Sequence, residues 1–289
     1  MNEKTIKGAL TRKIRGWIAS IESESVRKLC EENTIVTGGS IVSMLTCEKV
    51  NDYDIYFRDI ETTYAVATYY FNKIDCEKNG KDCVIKLEDR VKTFISSSGF
   101  LKANKSKVNI SEDGEESIEE QENEKPKYLP AFITSNAISL TDKIQIITRF
   151  FGSPDEIHKN FDFIHCQCYY DFREKDLVLP QKSLLSILTK RLRYYGSKYP
   201  VCSIFRLRKF LKRGWNINAG EIFKICFQIS ELDLHDVTVL EDQLIGVDTQ
   251  YFVWFISKLK EMQTESEEKG KDFVIYYDHV KEMIDGLFN

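Results

Sequence analysis

Three groups of residues in this chain have the types and spacing for phosphate chemistry. They are Gly38-Gly39-Ser40, then Asp52-Tyr53-Asp54 after eleven intervening residues, and much later Phe161-Asp162-Phe163-Ile164. Two adjacent glycines let the backbone approach an anion, and Ser40 adds a hydroxyl donor. A helix starting there would point its positive end at the same place. From Asp52 to Phe57 polar and apolar residues alternate as in a strand. Asp52 and Asp54 should therefore project to one side, and Tyr53, Ile55 and Phe57 to the other. Two carboxylates that close repel unless a cation lies between them. Hard oxygen ligands suit Mg²⁺, which keeps waters and also takes substrate phosphates. A site with two ions about 4 Å apart needs a further carboxylate from a neighbouring strand. Asp162 reads as that acid, because it interrupts an apolar run where an unpaired carboxylate is costly. The strand expected over 143–149 offers no acid in its stead. A lone Gly-Gly-Ser is commonly a turn, and a lone Asp-x-Asp a solvated face. The order and combination of the three groups point to chemistry.

The elements that must hold these residues can be read from periodicity. Residues 4–31 place Ile6, Leu10, Ile14, Trp17, Ile18, Ile21, Val26 and Leu29 at helical spacing. Thr34–Val36 is a short strand leading into the glycines. Residues 40–47 and 61–74 read as helices around the Asp52–Phe57 strand. Asn136–Leu140 and Lys143–Phe150 read as strands joined by a tight turn at Thr141-Asp142, and Phe161–Tyr170 as a further strand. From Gln181 on, the pattern is helical, broken near Gly196–Pro200, Gly214–Asn218, Leu232–His235 and Gly246–Asp248. The expectation is an α+β fold. A head over 1–178 carries a mixed β-sheet flanked by helices, and an all-helical domain follows over 179–289. The polar, charged stretch 104–127 is expected to be a disordered acidic insertion.

Composition narrows the class. Of 289 residues 42% are hydrophobic and 12% aromatic, enough for a sizeable core. The net charge of −4 is segregated. Residues 109–124 hold eight acids and no base, so the remainder carries +4 and is compatible with a polyanionic partner. Apolar runs are too short for a membrane span, and the start lacks a signal-peptide core, so a cytoplasmic protein is expected. The eight cysteines are scattered and read as free thiols, not a disulfide framework. His165-Cys166-Gln167-Cys168 could suggest zinc, but on a strand His165 faces away from both cysteines. The phosphate loop of ATPases is absent.

Gly38-Gly39-Ser40 with Asp52-x-Asp54 resembles the signature of the DNA polymerase β-like nucleotidyltransferases. These include CCA-adding enzymes, poly(A) polymerases, antibiotic-modifying enzymes and nucleotidyltransferase toxins. The resemblance covers residues 30–57 and 136–170; the stretch 75–130 departs from a minimal core. The overall texture is also similar to nucleotidyltransferase-like proteins of large bacteriophages. The resemblance implies transfer of a nucleoside monophosphate from a triphosphate such as ATP to an acceptor hydroxyl, with pyrophosphate leaving. It implies two Mg²⁺ ions on Asp52, Asp54 and Asp162, and the triphosphate on Gly38, Gly39 and Ser40.

Residues 181–215 contain ten basic residues and no acid, interleaved with aromatics. One account is an amphipathic helix pair with a solvated basic face. The other is a surface for phosphates. Ile204–Trp215 is similar to the arginine-rich helix that follows the head of CCA-adding enzymes. That resemblance implies nucleotide or RNA contacts for Arg206, Arg208 and Lys209. The run departs from the pattern in two ways: Arg213 directly precedes Gly214, and the acidic start is replaced by Tyr199-Pro200-Val201. An RNA 3′ end is the first expected acceptor. The alternatives are a protein or small-molecule acceptor, and a binding or structural protein that keeps the fold without turnover.

Overall fold

The computed structural model describes residues 1–73, 83–94, 100–102, 108–110, 116–118, 127–134, 136–244, 250–270 and 272–288. The chain divides into two compact units, one formed by Met1–Val108 with Ile118–Tyr195, the other by Asn109–Ser117 with Gly196–Asn289.

The first unit opens with α1 (Glu3–Ala19) and α2 (Glu24–Asn33). Each start is fixed by a side chain that accepts an otherwise orphaned backbone N–H: Asn2 from Thr5 and Ser23 from Val26. The apolar stripe Ile6, Leu10, Ile14 and Trp17 is fully buried. The chain then runs through β1 (Thr34–Thr37), α3 (Gly39–Leu45), β2 (Tyr53–Phe57) and α4 (Ile60–Asn72), which Asp59 caps. Next come β3 (Cys83–Lys86), β4 (Val91–Phe94), β5 (Phe100–Lys102), then β6 (Val108–Ile110) and β7 (Glu116–Ile118), most of whose residues fall in the second unit, and β8 (Pro130–Thr134), β9 (Ala137–Leu140) and β10 (Ile144–Phe151). The short helix α5 (Pro154–His158) has a reciprocal Ser153/Glu156 capping box. A 3₁₀ turn (Ile164–Gln167), β11 (Tyr169–Asp171), β12 (Asp176–Val178) and α6 (Gln181–Thr189) complete the unit.

Its centre is an eight-stranded sheet in the order β12-β11-β1-β2-β10-β9-β8-β5. The sheet is mixed: β10 runs parallel to β2, and the other described pairings are antiparallel. This is the expected α+β architecture. Tyr53, Ile55 and Phe57 turn toward the helices, where the Trp17 ring meets Phe57 at 6.4 Å and Trp17 Nε1 donates to the Tyr70 hydroxyl at 2.8 Å. The opposite face carries Ile35, Tyr56 and Ile157, with Ile147, Phe161 and Tyr169 against them. The β9–β10 hairpin forms where expected. Its turn puts Asp142 and Lys143 at φ of 60° and 61°.

Phe161–Tyr170 differs from expectation. It is not one strand but an extended stretch, the 3₁₀ turn and then β11. Backbone partners elsewhere in the unit account for this. Gly38 N–H donates to Cys166 O, Ile164 N–H to Arg193 O, and Tyr195 N–H to Asp162 O. The Ser183 hydroxyl also donates to Ile164 O. These bonds, with the Phe163–Tyr194 bridge, tie 181–195 to the sheet unit. Most of the stretch 104–127 lies outside the described residues. Two of its described pieces fall in β6 and β7, which form a separate two-stranded sheet.

The second unit contains α7 (Pro200–Lys212), α8 (Ala219–Ser230), α9 (Val237–Leu244), α10 (Gln250–Glu268) and α11 (Tyr277–Phe288). Its core gathers Leu240, Phe255, Ile256, Leu259 and Ile275. The expected break at Gly246–Asp248 lies outside the described residues. No helix among the described residues is long and apolar enough to cross a membrane.

Candidate active site

Asp54 is the second residue of β2 and half-buried, and Asp52 stands exposed one residue before the strand. β1 lies antiparallel beside β2, with Val36 opposite Ile55, so its end arrives next to Asp54. There the chain turns at Gly38, with φ 96° and ψ −147°. That conformation suits glycine and strains other residues. A Cβ on Gly38 would lie 2.9 Å from Asp54 Oδ2, so the missing side chain is what lets backbone and carboxylate meet. Gly39, which opens α3, has nothing within 4 Å of where its Cβ would be.

Two expected donors stand differently from their sequence reading. The Gly38 N–H is already given to Cys166 O at 3.2 Å. Gly38 therefore contributes room more than a hydrogen bond. Ser40 is buried, and its Oγ has no hydrogen-bond partner among the described residues.

The Gly38 turn is held from behind by residues the sequence did not single out. Thr37 Oγ1 donates toward Cys168 O at 2.9 Å and lies 3.3 Å from Cys166 O. His158 Nε2 is 2.8 Å from the same hydroxyl. One hydroxyl proton cannot serve both sides, so with the carbonyl as acceptor the histidine is the donor and carries its proton on Nε2. Burial holds the His158 imidazole well below its usual range, at about 4, with Asp155 pulling weakly the other way. The ring stays neutral, as that bond requires. A lone histidine carries no sequence signal for this role.

Asp162 follows Phe161, whose ring packs on Tyr56, on Asp54's face of the sheet, at 5.9 Å between centroids. It is buried and sits before the 3₁₀ turn, not on a strand beside β2. Among the described residues, no group of three or more His, Cys, Asp or Glu side chains is gathered to hold a metal ion. That covers both Asp162 with the Asp52/Asp54 pair and His165 with Cys166 and Cys168. The strand that does flank Asp54 is β10, and it places Gln145 opposite. The alternation of Gln145 with Ile144 and Ile146 was visible in the sequence; that it faced Asp54 was not.

Arg206, Arg208 and Lys209 all fall on α7 in the second unit, Arg206 half-buried and the other two exposed.

The family profile described as Gabija anti-defense 2 family protein matches residues 9–190. The chain belongs to the Gabija anti-defense 2 family. The matched stretch holds Gly38, Gly39, Ser40, Asp52, Asp54, Gln145, His158 and Asp162, but not Arg206, Arg208 or Lys209. A curated relative, Gabija anti-defense 2 of Bacillus phage SPbetaL7, is 22% identical over 277 residues, covering 94% of this chain and 56% of its own length. Solved structures are more distant. A Thermotoga maritima CCA-adding enzyme complexed with tRNA is 12% identical, with TM-score 0.37 over 88% of this chain and 56% of that one. A tRNA-processing enzyme in an apo form is also 12% identical, with TM-score 0.40 over 89% of this chain and 57% of that one. The chain thus spans about half the length of the relatives it matches.

Proposed function

We propose that this Gabija anti-defense 2 family member is a metal-dependent nucleotidyltransferase, and that it counters Gabija defense through a nucleotide bound beside Asp54. The observation that carries the reading is the contact between the Gly38 turn and the Asp54 carboxylate. A strand-to-helix turn brought against an acid, with open space beside it at Gly39, suits a phosphate and a cation together. Asp52 and Asp54, both hard oxygen donors, fit one divalent ion. That ion would neutralise triphosphate charge and polarise the reacting phosphorus.

The chain's own residues do the positioning. Gly38 and Gly39 leave space for the triphosphate, and the Thr37–His158 contact keeps the turn in place. The Ser40 hydroxyl would donate to a phosphate oxygen after a rotamer change. An acceptor hydroxyl oxygen bonds the α-phosphorus, the bond from that phosphorus to the bridging oxygen breaks, and pyrophosphate leaves. Asp162 is the acid proposed to take the hydroxyl proton. The proposed acceptor is an RNA 3′ end, on the strength of the basic, aromatic-interleaved stretch 181–215 that includes Arg206, Arg208 and Lys209.

A second reading, a nucleotide held without transfer, is favoured by the absence of a gathered three-acid set among the described residues. Label from each α-³²P nucleoside triphosphate, offered first with total RNA and then with lysate protein, separates the cases. Label on RNA supports the proposal, and label on protein moves the acceptor. Nucleotide binding by calorimetry without label on either leaves the second reading standing.

A further inference from the structure

The strand flanking β2 on the side away from β1 carries an assignment that rests on the nucleotide-binding reading above. β10 pairs in parallel with β2, setting Ile144 beside Tyr53, Gln145 beside Asp54 and Ile146 beside Ile55. Residues paired in register share a face, and neighbouring strands lie about 4.8 Å apart. The Gln145 carboxamide therefore stands next to the Asp54 carboxylate. On β9, Ser139 pairs with Gln145, extending a polar row of Asp54, Gln145 and Ser139 across a face otherwise largely apolar. Gln145 is half-buried, and its side chain makes no hydrogen bond among the described residues. A half-buried amide whose donors and acceptor are uncommitted within the protein is hydrated and available to a ligand. It becomes costly to leave unmet once a ligand closes over it.

Two dications about 4 Å apart repel strongly and need anionic ligands on each side. Among the described residues no third acid is gathered with Asp52 and Asp54 to hold a metal, which leaves the strands next to β2 as the nearest places for such a ligand. On β1 the chain ends in Thr37 and Gly38, neither of them anionic. On β10 the position is Gln145. An amide oxygen adds no charge, and an amide cannot take a proton from an attacking hydroxyl. We propose that this site holds a single divalent ion with its nucleotide, and that Gln145 stands in place of a third carboxylate, donating an Nε2–H to a phosphate oxygen. The nucleotide is then gripped well and transferred slowly. Restoring an acid at this one position opens a second ion site.

The test counts ions as well as turnover. Mn²⁺ bound per full-length chain is measured by electron paramagnetic resonance in the presence of each α,β-methylene nucleoside triphosphate in turn. The expected result is one nucleotide-dependent ion in the wild-type protein and two in Gln145→Glu. With ordinary triphosphates, Gln145→Glu transfers at least tenfold faster. Two ions in the wild-type protein overturn the proposal, and so does a single ion in a Gln145→Glu chain whose circular dichroism matches wild type. Should Gln145→Glu fail to fold, the wild-type count decides alone, alongside Gln145→Ala, which is expected to bind nucleotide about tenfold more weakly. No nucleotide-dependent ion in either folded protein sinks the nucleotide-binding reading itself, an outcome distinct from a wrong ion count.

Discussion

The two flanks of Asp54 are built differently. On the β1 side the polar groups around the turn are engaged: Gly38 N–H with Cys166 O, and Thr37 Oγ1 with Cys166 O, Cys168 O and His158. On the β10 side the adjacent side chain, Gln145, bonds to nothing described. Engaged groups fix geometry and contribute to stability; an uncommitted one beside a carboxylate costs stability little and is free to meet a ligand. Changes on the first flank should therefore appear in unfolding experiments, and changes on the second mainly in binding and turnover.

Asp54 belongs to neither flank and should show the largest effect. Asp54→Asn keeps the shape but removes the charge that an ion and a triphosphate require. Transfer is expected to fall about a thousandfold or more, equivalent to about 4 kcal/mol of transition-state stabilisation. Single-turnover labelling reads this out, with the circular dichroism spectrum unchanged. Equal transfer by Asp54→Asn and wild type would remove the site from the reaction.

His158 tests the engaged flank through pH. Its native value of about 4 lies below the usual 6.5. Below pH 6.5 the unfolded chain takes up a proton that the native ring refuses. The stabilisation is thus complete above pH 6.5 and is lost at about 1.4 kcal/mol per unit as pH falls toward 4. The total is about 3 kcal/mol on that linkage. His158→Gln can still donate to Thr37 but does not titrate. Its urea midpoint should decline less between pH 6.5 and 4.5 than that of wild type. Parallel curves would mean the ring is not held neutral in the native state.

The sequence carried one half of this contrast better than the other. The strand carrying Asp54 and the strand-to-helix turn at Gly38 and Gly39 could be read because two-residue alternation and a glycine pair are local patterns; that Ser40 is buried and Asp52 precedes the strand could not. The 136–150 hairpin was legible for the same reason. Phe161–Tyr170 misled because its apolar run satisfies strand periodicity. The backbone there bonds instead to Gly38, Arg193 and Tyr195, partners distant in sequence. Gln145 was legible as a strand residue and opaque as a site residue. Its importance comes from the parallel register of β10 on β2, which no local pattern encodes.

Gly38→Ala is the next effect in size. A left-handed backbone with a Cβ 2.9 Å from a carboxylate oxygen is strained on two counts. A cost of about 2 kcal/mol is expected, seen as a lower denaturant midpoint with an unchanged slope. Wild-type stability in Gly38→Ala would mean the turn relaxes easily and the engaged flank is softer than its hydrogen bonds imply.

The smallest effects set Gln145 beside the one exception on the engaged flank. Gln145→Ala loses no described hydrogen bond, so unfolding should move by less than about 0.5 kcal/mol. Ser40 lies among engaged neighbours, yet its buried hydroxyl has no partner among the described residues. An unmet buried hydroxyl is a liability, so Ser40→Ala should leave stability unchanged or raise it by up to about 1 kcal/mol. If the hydroxyl turns to a phosphate when nucleotide arrives, the same substitution weakens nucleotide binding by about tenfold, the worth of one hydrogen bond. Urea unfolding and calorimetric titration on one protein sample measure both. A stability gain with unchanged affinity would make Ser40 a packing residue. A gain with lost affinity would place a ligand-facing group on the engaged flank as well, and reduce the contrast between the two sides of Asp54 to the difference between a hydroxyl held inside and an amide already at the surface.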